Sequence, residues 1–291
     1  MKVAIHGKSF LPDTLPQIEN LLTSLEDKQT EISVSESFFE ILANCGVHTD
    51  NLSIYKPGAQ LSGVHFFISL GGDGTLLQSV THIGAQEIPI LAINLGRLGF
   101  LSNGTLEESG QIIEQIMNDD FEIDSRMLIR AECEANIFKG MNFALNEFTI
   151  LKQDTSSMIT VNTYLDGAFF NSYWADGLII ATPTGSTGYS LSCGGPIIYP
   201  ESHSFIITPV SPHNLNIRPF VVSDKSVITL EVTSRSNYFL VSLDSRSHTV
   251  SSGFKFTIKK ESFVAKLIKT GSNTFMDTLR KKLNWGLDIR N

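Results

Sequence analysis

Apolar residues follow two different spacings along this chain, and the change falls near its middle. In the first part, Lys2 to Ile5 reads as a short buried strand. Leu15, Ile18, Leu21, Leu22 and Leu25 recur at helical spacing, and Phe38, Phe39, Ile41 and Leu42 predict a second helix ending near Gly46. The run His65-Phe66-Phe67-Ile68-Ser69-Leu70 predicts a buried strand, followed by glycines and then by Leu76 to Ile83, which can start a helix. Ile88-Pro89-Ile90-Leu91-Ala92-Ile93 predicts another strand. Leu106 to Met117 predicts a helix with Ile112, Ile113 and Ile116 on one side. Strands alternating with helices imply a parallel sheet covered on both faces.

From about residue 125 the period becomes two. Ile228, Leu230 and Val232 share one face, as do Phe239, Val241 and Leu243, and Phe254, Phe256 and Ile258. Phe263, Ala265 and Leu267 alternate again after a polar break at Lys259-Lys260-Glu261-Ser262. Such strands predict an antiparallel, sandwich-like all-β domain. In the tail, Phe275, Leu279 and Leu283 lie four apart and predict a helix packing back on the body through one apolar stripe. The expected division is therefore an α/β domain over 1–125, an all-β domain over 126–270 and a C-terminal helix within 271–291.

Composition narrows the class without changing this picture. The chain has 291 residues, 42% hydrophobic and 18% charged, an ordinary globular balance. Its net charge of -8 and lack of a long basic run argue against a nucleic-acid binder. Cys45, Cys133 and Cys193 form neither a disulfide framework nor a zinc signature. Neither a signal peptide nor a membrane span is predicted, so the expectation is a cytoplasmic enzyme without a membrane partner.

The candidate chemistry begins at Gly71-Gly72-Asp73-Gly74-Thr75, between the Phe66 strand and its helix. Glycines there let backbone N–H groups point at phosphates. A carboxylate beside phosphates is useful if it contacts Mg²⁺ or takes a proton from an attacking hydroxyl, and both uses suggest phosphoryl transfer to an alcohol. A plain Gly-Asp-Gly turn is the alternative. Asn146-Glu147, after a mostly apolar stretch, suits ribose hydroxyls or an adenine edge, or else a strand-end turn. Asp176 to Pro196 carries a strand, Leu178 to Ala181, and then a loop dense in small hydroxyl residues. That loop, Thr182 to Ser192, offers neutral donors suited to a nucleotide in an acidic protein. Trp174 and Tyr173 suit either base stacking or a core. His213, beside Pro212, reads first as structural. Asp244 reads equally as a strand-end turn residue or as part of the site. No His-x-x-x-His or Cys-x-x-Cys pair marks a tightly held metal.

Taken together, these motifs resemble the NAD kinase family. Its four elements stand in order: Gly71 to Thr75, Asn146-Glu147, Asp176 to Pro196, and Pro212-His213-Asn214-Leu215 with Arg218-Pro219. Asn94-Leu95-Gly96-Arg97-Leu98-Gly99-Phe100-Leu101 is similar to the family's Gly-Phe-Leu loop. The resemblance covers roughly residues 65 to 250. It implies an active site between the two domains and transfer of the ATP γ-phosphate to the adenosine-ribose 2′-hydroxyl of NAD, with a divalent ion, Mg²⁺, accompanying ATP. It implies Asp73 as the catalytic base, with Gly72, Gly74 and Thr75 in the phosphate turn and Phe100 in the Gly-Phe-Leu loop. Asn146 and Glu147 are implied as acceptor-nucleotide contacts and Asp176 as the contact for the nicotinamide end. Thr184 and the turn of Thr187, Gly188, Tyr189, Ser190, Leu191 and Ser192 are implied as nucleotide-binding. A homodimer or homotetramer is implied as well. Three positions depart from the family pattern: Trp174 where a basic or amide residue is common, Gly188 in place of Ala, and Arg246 in place of Gln. They bear on substrate contacts at Trp174, Gly188 and Arg246. The Gly-Asp-Gly turn alone also resembles lipid kinases of the diacylglycerol and sphingosine type. A dinucleotide-sensing module without catalysis is the reading from a different class, and the intact Asp73 argues against it.

Overall fold

The computed structural model describes residues 1–96, 99–102, 104–153, 157–235, 238–271 and 274–284. Arg97 and Leu98 of the Gly-Phe-Leu loop lie outside the described residues. The chain divides into two compact units: Met1–Ser125 with the chain from Ala265 onward, and Arg126–Val264.

The first unit is built on a parallel sheet. Strand Lys2–Gly7 lies between Glu31–Ser35 and Phe66–Leu70; Leu52–Tyr55 extends the first side and Ile90–Asn94 the second. Phe66–Leu70 and Ile90–Asn94 are buried at every residue, as apolar runs in a doubly covered parallel sheet must be. Helix Leu15–Asp27 buries the predicted stripe of Ile18, Leu21, Leu22 and Leu25. Helix Glu36–Asn44 starts at Ser35, whose hydroxyl accepts the Phe38 N–H at 3.4 Å. The chain builds outward from Lys2–Gly7 on one side and then returns on the other with Phe66–Leu70, pairing Gly7 with Leu70. The glycine turn after Leu70 therefore leaves the carboxyl end of a strand beside the reversal in strand order, the place where open parallel sheets bind ligands.

The second unit holds two antiparallel sheets. One orders Ala168–Ala175, Ile159–Leu165, Ile228–Ser234 and the first part of Lys255–Lys269. The other orders Phe220–Ser223, Ser204–Val210, Gly177–Ala181, Glu147–Lys152, Tyr238–Leu243 and Arg246–Ser251. Phe148, Ile150, Leu178, Ile180 and Phe205 from the second sheet share one buried cluster with Val161, Leu230, Phe256 and Ile258 from the first. This is the sandwich that the period-two pattern predicts.

Three expectations are corrected. The polar quartet at 259–262 breaks nothing, because Lys255–Lys269 is one continuous strand. Its charges are neutralised in place: Glu261 is buried against Arg130 at 3.0 Å, Lys260 pairs with Asp224 at 2.6 Å and Lys259 with Glu132 at 2.9 Å. Secondly, the strand does not stay within the antiparallel set, since its Leu267 pairs in parallel with Ile90. Thirdly, helix Phe275–Leu283 is capped by a reciprocal Thr274–Asp277 box but buries only Leu279; Leu283 is exposed.

The first unit also encloses an imidazole pair. His6 and His82 are both buried, with ring centroids 4.4 Å apart, and Tyr55 meets His82 edge-on at 5.7 Å. The Ser35 hydroxyl bonds His6 Nδ1 at 2.8 Å and the Gln78 side-chain oxygen bonds Nε2 at 3.2 Å, while His82 Nδ1 is buried with no hydrogen-bond partner among the described residues. Burial, and then the neighbouring His6, push His82 down to about 4; burial lowers His6 as well. A folded-state value below the unfolded 6.5 means that the unfolded chain binds the extra proton. The stabilisation is full above about pH 6.5 and is lost as pH falls toward 4. Urea unfolding of the wild type is expected to show about 2 kcal/mol less stability from this source at pH 5 than at pH 7.5. In His82→Leu that increment should flatten, and an unchanged pH dependence in the variant would refute the assignment.

Candidate active site

Asp73 opens the helix Asp73–Ile83, so it belongs to the first helical turn and not to the preceding loop. A carboxylate is favoured there by the partial positive charge of the helix terminus. The N-cap, Gly72, has no side chain to bond the first amides, which leaves that end free for an anion. The positive φ of the glycine turn is confined to Gly71, at 150°, where a Cβ would stand 2.2 Å from Thr75 Oγ1. Gly72 and Gly74 instead adjoin open space. The loop after Asn94 folds onto the carboxylate: Phe100 N–H donates to Asp73 Oδ2 at 2.9 Å and Leu101 N–H to Oδ1 at 3.1 Å. Gly99 is obligatory, because a Cβ there would lie 2.0 Å from Asp73 Oδ1. Phe100 thus reaches Asp73 through its backbone.

In the second unit, Asn146 and Glu147 stand where strand Glu147–Lys152 begins. Thr182 holds this point from one side, its hydroxyl donating to Leu145 O at 2.6 Å and its N–H to Asn146 O at 2.8 Å. Asp244 holds it from another, at a hairpin turn with φ of 51°. Its Oδ2 accepts from Leu145 N–H at 2.9 Å, and its Oδ1 from Asn146 N–H at 2.9 Å and Glu147 N–H at 3.2 Å. Arg246 spends its guanidinium on the carbonyls of Met141 and Phe143, so the structure uses it as a backbone clamp. Burial, and then the charge of Asp244, raise Glu147 to about 8. Burial raises Asp244 too, against the lowering effect of its three N–H bonds and of Arg246.

The hydroxyl-rich segment predicted as a loop is two short helical turns, Thr184–Thr187 and Tyr189–Ser192. Several of its hydroxyls are used internally: Thr187 Oγ1 donates to Thr184 O at 3.2 Å, and Ser190 bonds the Thr208 hydroxyl at 2.8 Å. Thr184 accepts from buried Arg126 at 3.2 Å. Gly185 packs on Asn146, where a Cβ would meet the Asn146 carbonyl at 2.2 Å. At Gly188 a Cβ would stand 3.2 Å from Glu147 Oε2 and 3.5 Å from Asn146 Nδ2, so this glycine borders the pair. Tyr189 and Ser192 are exposed and Leu191 is half-buried. Asp176 pairs with Lys152 at 2.7 Å, and exposed Trp174 stacks on His213 with centroids 4.1 Å apart. Among the described residues no group of three or more His, Cys, Asp or Glu side chains is gathered as a metal site.

Sequence reasoning passed over Arg126, named Thr182 and Gly99 only as members of their loops, and left Asp244 undecided. Nothing local marks them, since each acts on backbone or side chains distant in sequence.

Residues 12–121 match the ATP-NAD kinase N-terminal domain and residues 145–270 the ATP-NAD kinase C-terminal domain. The chain is similar to the NAD kinase of Cytophaga hutchinsonii, 46% identical over 292 residues and 100% of both chains. It is 42% identical to the NAD kinase of Flavobacterium johnsoniae over 294 residues, again 100% of both. Yeast NADH kinase complexed with NADH shares the fold, with a TM-score of 0.90 at 22% identity, over 100% of this chain and 89% of that one. An NAD kinase from Archaeoglobus fulgidus in complex with ATP matches with a TM-score of 0.73 at 26% identity, over 98% of this chain and 99% of that one. Fold and turn chemistry thus define a phosphotransferase. The chain belongs to the ATP-NAD kinase family, and its activity is the phosphorylation of NAD.

The packing at Gly185 gives a direct test. Gly185→Ala must push the Asn146 carbonyl aside and is expected to cost about 1–3 kcal/mol in urea unfolding. Gly188→Ala, with its nearest contact at 3.2 Å, should cost clearly less. Equal costs would refute the close packing of Gly185 on Asn146.

Proposed function

We propose that Asp73 is the catalytic base that takes the proton of the adenosine-ribose 2′-hydroxyl of NAD. The freed oxygen forms a bond to the γ-phosphorus of ATP, the bond from that phosphorus to the β,γ-bridging oxygen breaks, and ADP leaves with the electron pair. One observation carries this reading: the carboxylate is fixed at an uncapped helix N-terminus by the N–H groups of Phe100 and Leu101. A carboxylate has about four acceptor positions, so two N–H bonds leave room for a hydroxyl proton. The same bonds orient the group before substrate arrives, which is what general base catalysis needs.

Asn146 and Glu147 serve the acceptor nucleotide in this proposal. Asp176 serves its nicotinamide end, Trp174 and Phe100 flank it, and Thr184 with Thr187 to Ser192 forms the nucleotide turn. Support for the pair comes from two buried atoms, Asn146 Oδ1 and Glu147 Oε2, that have no partner among the described residues. Such atoms are costly unless a ligand satisfies them. The divalent ion enters as part of the Mg–ATP donor, where it neutralises phosphate charge. A cytoplasmic setting and a homodimer or homotetramer complete the reading. Unpaired Cys45, Cys133 and Cys193 support the first. Exposed Phe169, Trp174 and Phe220 on edge strands of the second unit support the second. Light scattering should give a mass of two or four chains, and a monomer at micromolar concentration would remove that part.

The catalytic assignment is tested with two variants assayed for NADP formation from ATP, Mg²⁺ and NAD. Asp73→Asn keeps the shape but removes the base, and turnover is expected to fall on the order of 10²-fold or more. Gly99→Ala leaves Asp73 in the sequence but displaces its carboxylate, and is expected to reduce turnover on the order of 10²-fold. Near-normal turnover in Asp73→Asn, with nucleotide binding retained, would rule out the base.

A further inference from the structure

The Asp244 carboxylate is unusual for a hairpin-turn residue in what it binds. It reaches about a hundred residues back along the chain to accept three consecutive N–H groups, from Leu145, Asn146 and Glu147. The link is reciprocal, because Asp244 N–H donates to Glu147 O at 3.0 Å. Those three amides immediately precede or begin a buried strand, where unpaired N–H groups are costly. From the same turn, Arg246 clamps the carbonyls of Met141 and Phe143. The hairpin therefore grips donors and acceptors of one short segment at once. That segment ends in the two side chains whose buried oxygens lack partners among the described residues.

We infer that Asp244 is a positioning residue of the acceptor-nucleotide site, gathering the three N–H groups that aim the Asn146 and Glu147 side chains. The inference rests on the reading of that pair as acceptor contacts. Asp244 itself has both oxygens engaged by backbone and contacts Asn146 and Glu147 only through their main chain, so its influence on substrate is indirect.

A second consequence follows from charge. Glu147 is deeply buried and feels the charge of Asp244 from the hairpin turn; the Thr182–Ser192 segment carries no charged residue, and Arg126 donates to it at Thr184. Burial disfavours the Glu147 charge first and the carboxylate of Asp244 adds to it, while Arg246 is committed to backbone carbonyls. Glu147 consequently meets the nucleotide as a neutral carboxyl, able to donate a hydrogen bond as well as accept one. Binding of NAD weakens as pH rises through about 8, where that proton leaves. Removing the Asp244 charge moves this alkaline limb to lower pH.

The test is the full chain carrying Asp244→Asn, an isostere that tolerates the same left-handed turn. We expect KM for NAD to rise about tenfold, with KM for ATP within about twofold, kcat within about threefold and the alkaline limb of NAD affinity shifted to lower pH. Asn146→Ala is run beside it. A raised KM for NAD in Asn146→Ala without one in Asp244→Asn overturns the positioning role alone. No rise in Asn146→Ala overturns the acceptor reading beneath it. Equal rises in the KM values for NAD and ATP, or an unmoved alkaline limb, overturn the inference in favour of general structural support. If Asp244→Asn does not fold by circular dichroism, Asp244→Glu carries the charge one methylene further and is judged on the split between the two KM values. Failure of both variants to fold overturns the inference as well.

Discussion

A strand that begins inside a protein starts with amide donors that water cannot reach, and this constraint organises the second unit. Leu145, Asn146 and Glu147 present three such donors in succession, and the Asp244 carboxylate satisfies all of them. Once this carboxyl group is buried there, its surroundings are no longer free to vary. Arg246 is drawn toward it but is anchored on two carbonyls, and Glu147, disfavoured as an anion first by its burial and then by this neighbouring carboxylate, keeps its proton. Thr182 and Gly185 then close the remaining side, hydroxyl to carbonyl and backbone to backbone. The placement of Asn146 and Glu147 is the product of these requirements taken together.

The first unit solves a similar problem with the opposite result. There too a carboxylate accepts consecutive backbone N–H groups, from Phe100 and Leu101. Asp73 receives two instead of three, lies at a helix terminus with no side-chain cap, and has open space at the glycines on either side. The carboxylate with three N–H donors fixes other groups. The one with two is itself fixed and keeps more of its acceptor positions open. Counting donors and free lone pairs separates the two roles where residue type alone does not.

Much of this was legible in the sequence, for reasons that can be stated. Ile18, Leu21, Leu22 and Leu25 declare their helix because burial selects one face, and the alternation at Ile228, Leu230 and Val232 declares a strand for the same reason. The glycine turn stood out because three glycines around a carboxylate are rarely needed for folding alone. Misreadings arose where polar residues are paid for by distant partners. Glu261 looked like a loop residue until Arg130 supplied its charge. The Thr182 to Ser192 stretch looked irregular because its hydroxyls bond within its own helical turns and to Thr208. Asp244 looked like any turn Asp, since nothing near it in sequence reveals the amides it binds. Arg246 ties its guanidinium to the main chain at Met141 and Phe143, which its own neighbourhood in the sequence does not show either. These are tertiary pairings, and hydrophobic periodicity does not record them.

The helix that presents Asp73 shows what such pairings do for orientation. A purely apolar inner face would let a short helix rotate or slide by small amounts at little cost, because apolar contacts are not directional. Gln78 and His82 change this. Gln78 bonds His6, whose other nitrogen bonds Ser35, and His82 stacks on the same imidazole. Ser79 donates back to Thr75 O at 3.0 Å within the helix. Hydrogen bonds weaken steeply with angle, so this polar network fixes the rotation of the helix about its axis. The direction in which the first residue points is set by that rotation. The two histidines are uncharged in a buried place that penalises their protonation, and the loss of stability on acidification is the energetic counterpart of the alignment they provide. In this enzyme the orientation of Asp73 is therefore specified from both ends of its helix, by backbone amides in front and by a buried imidazole pair behind.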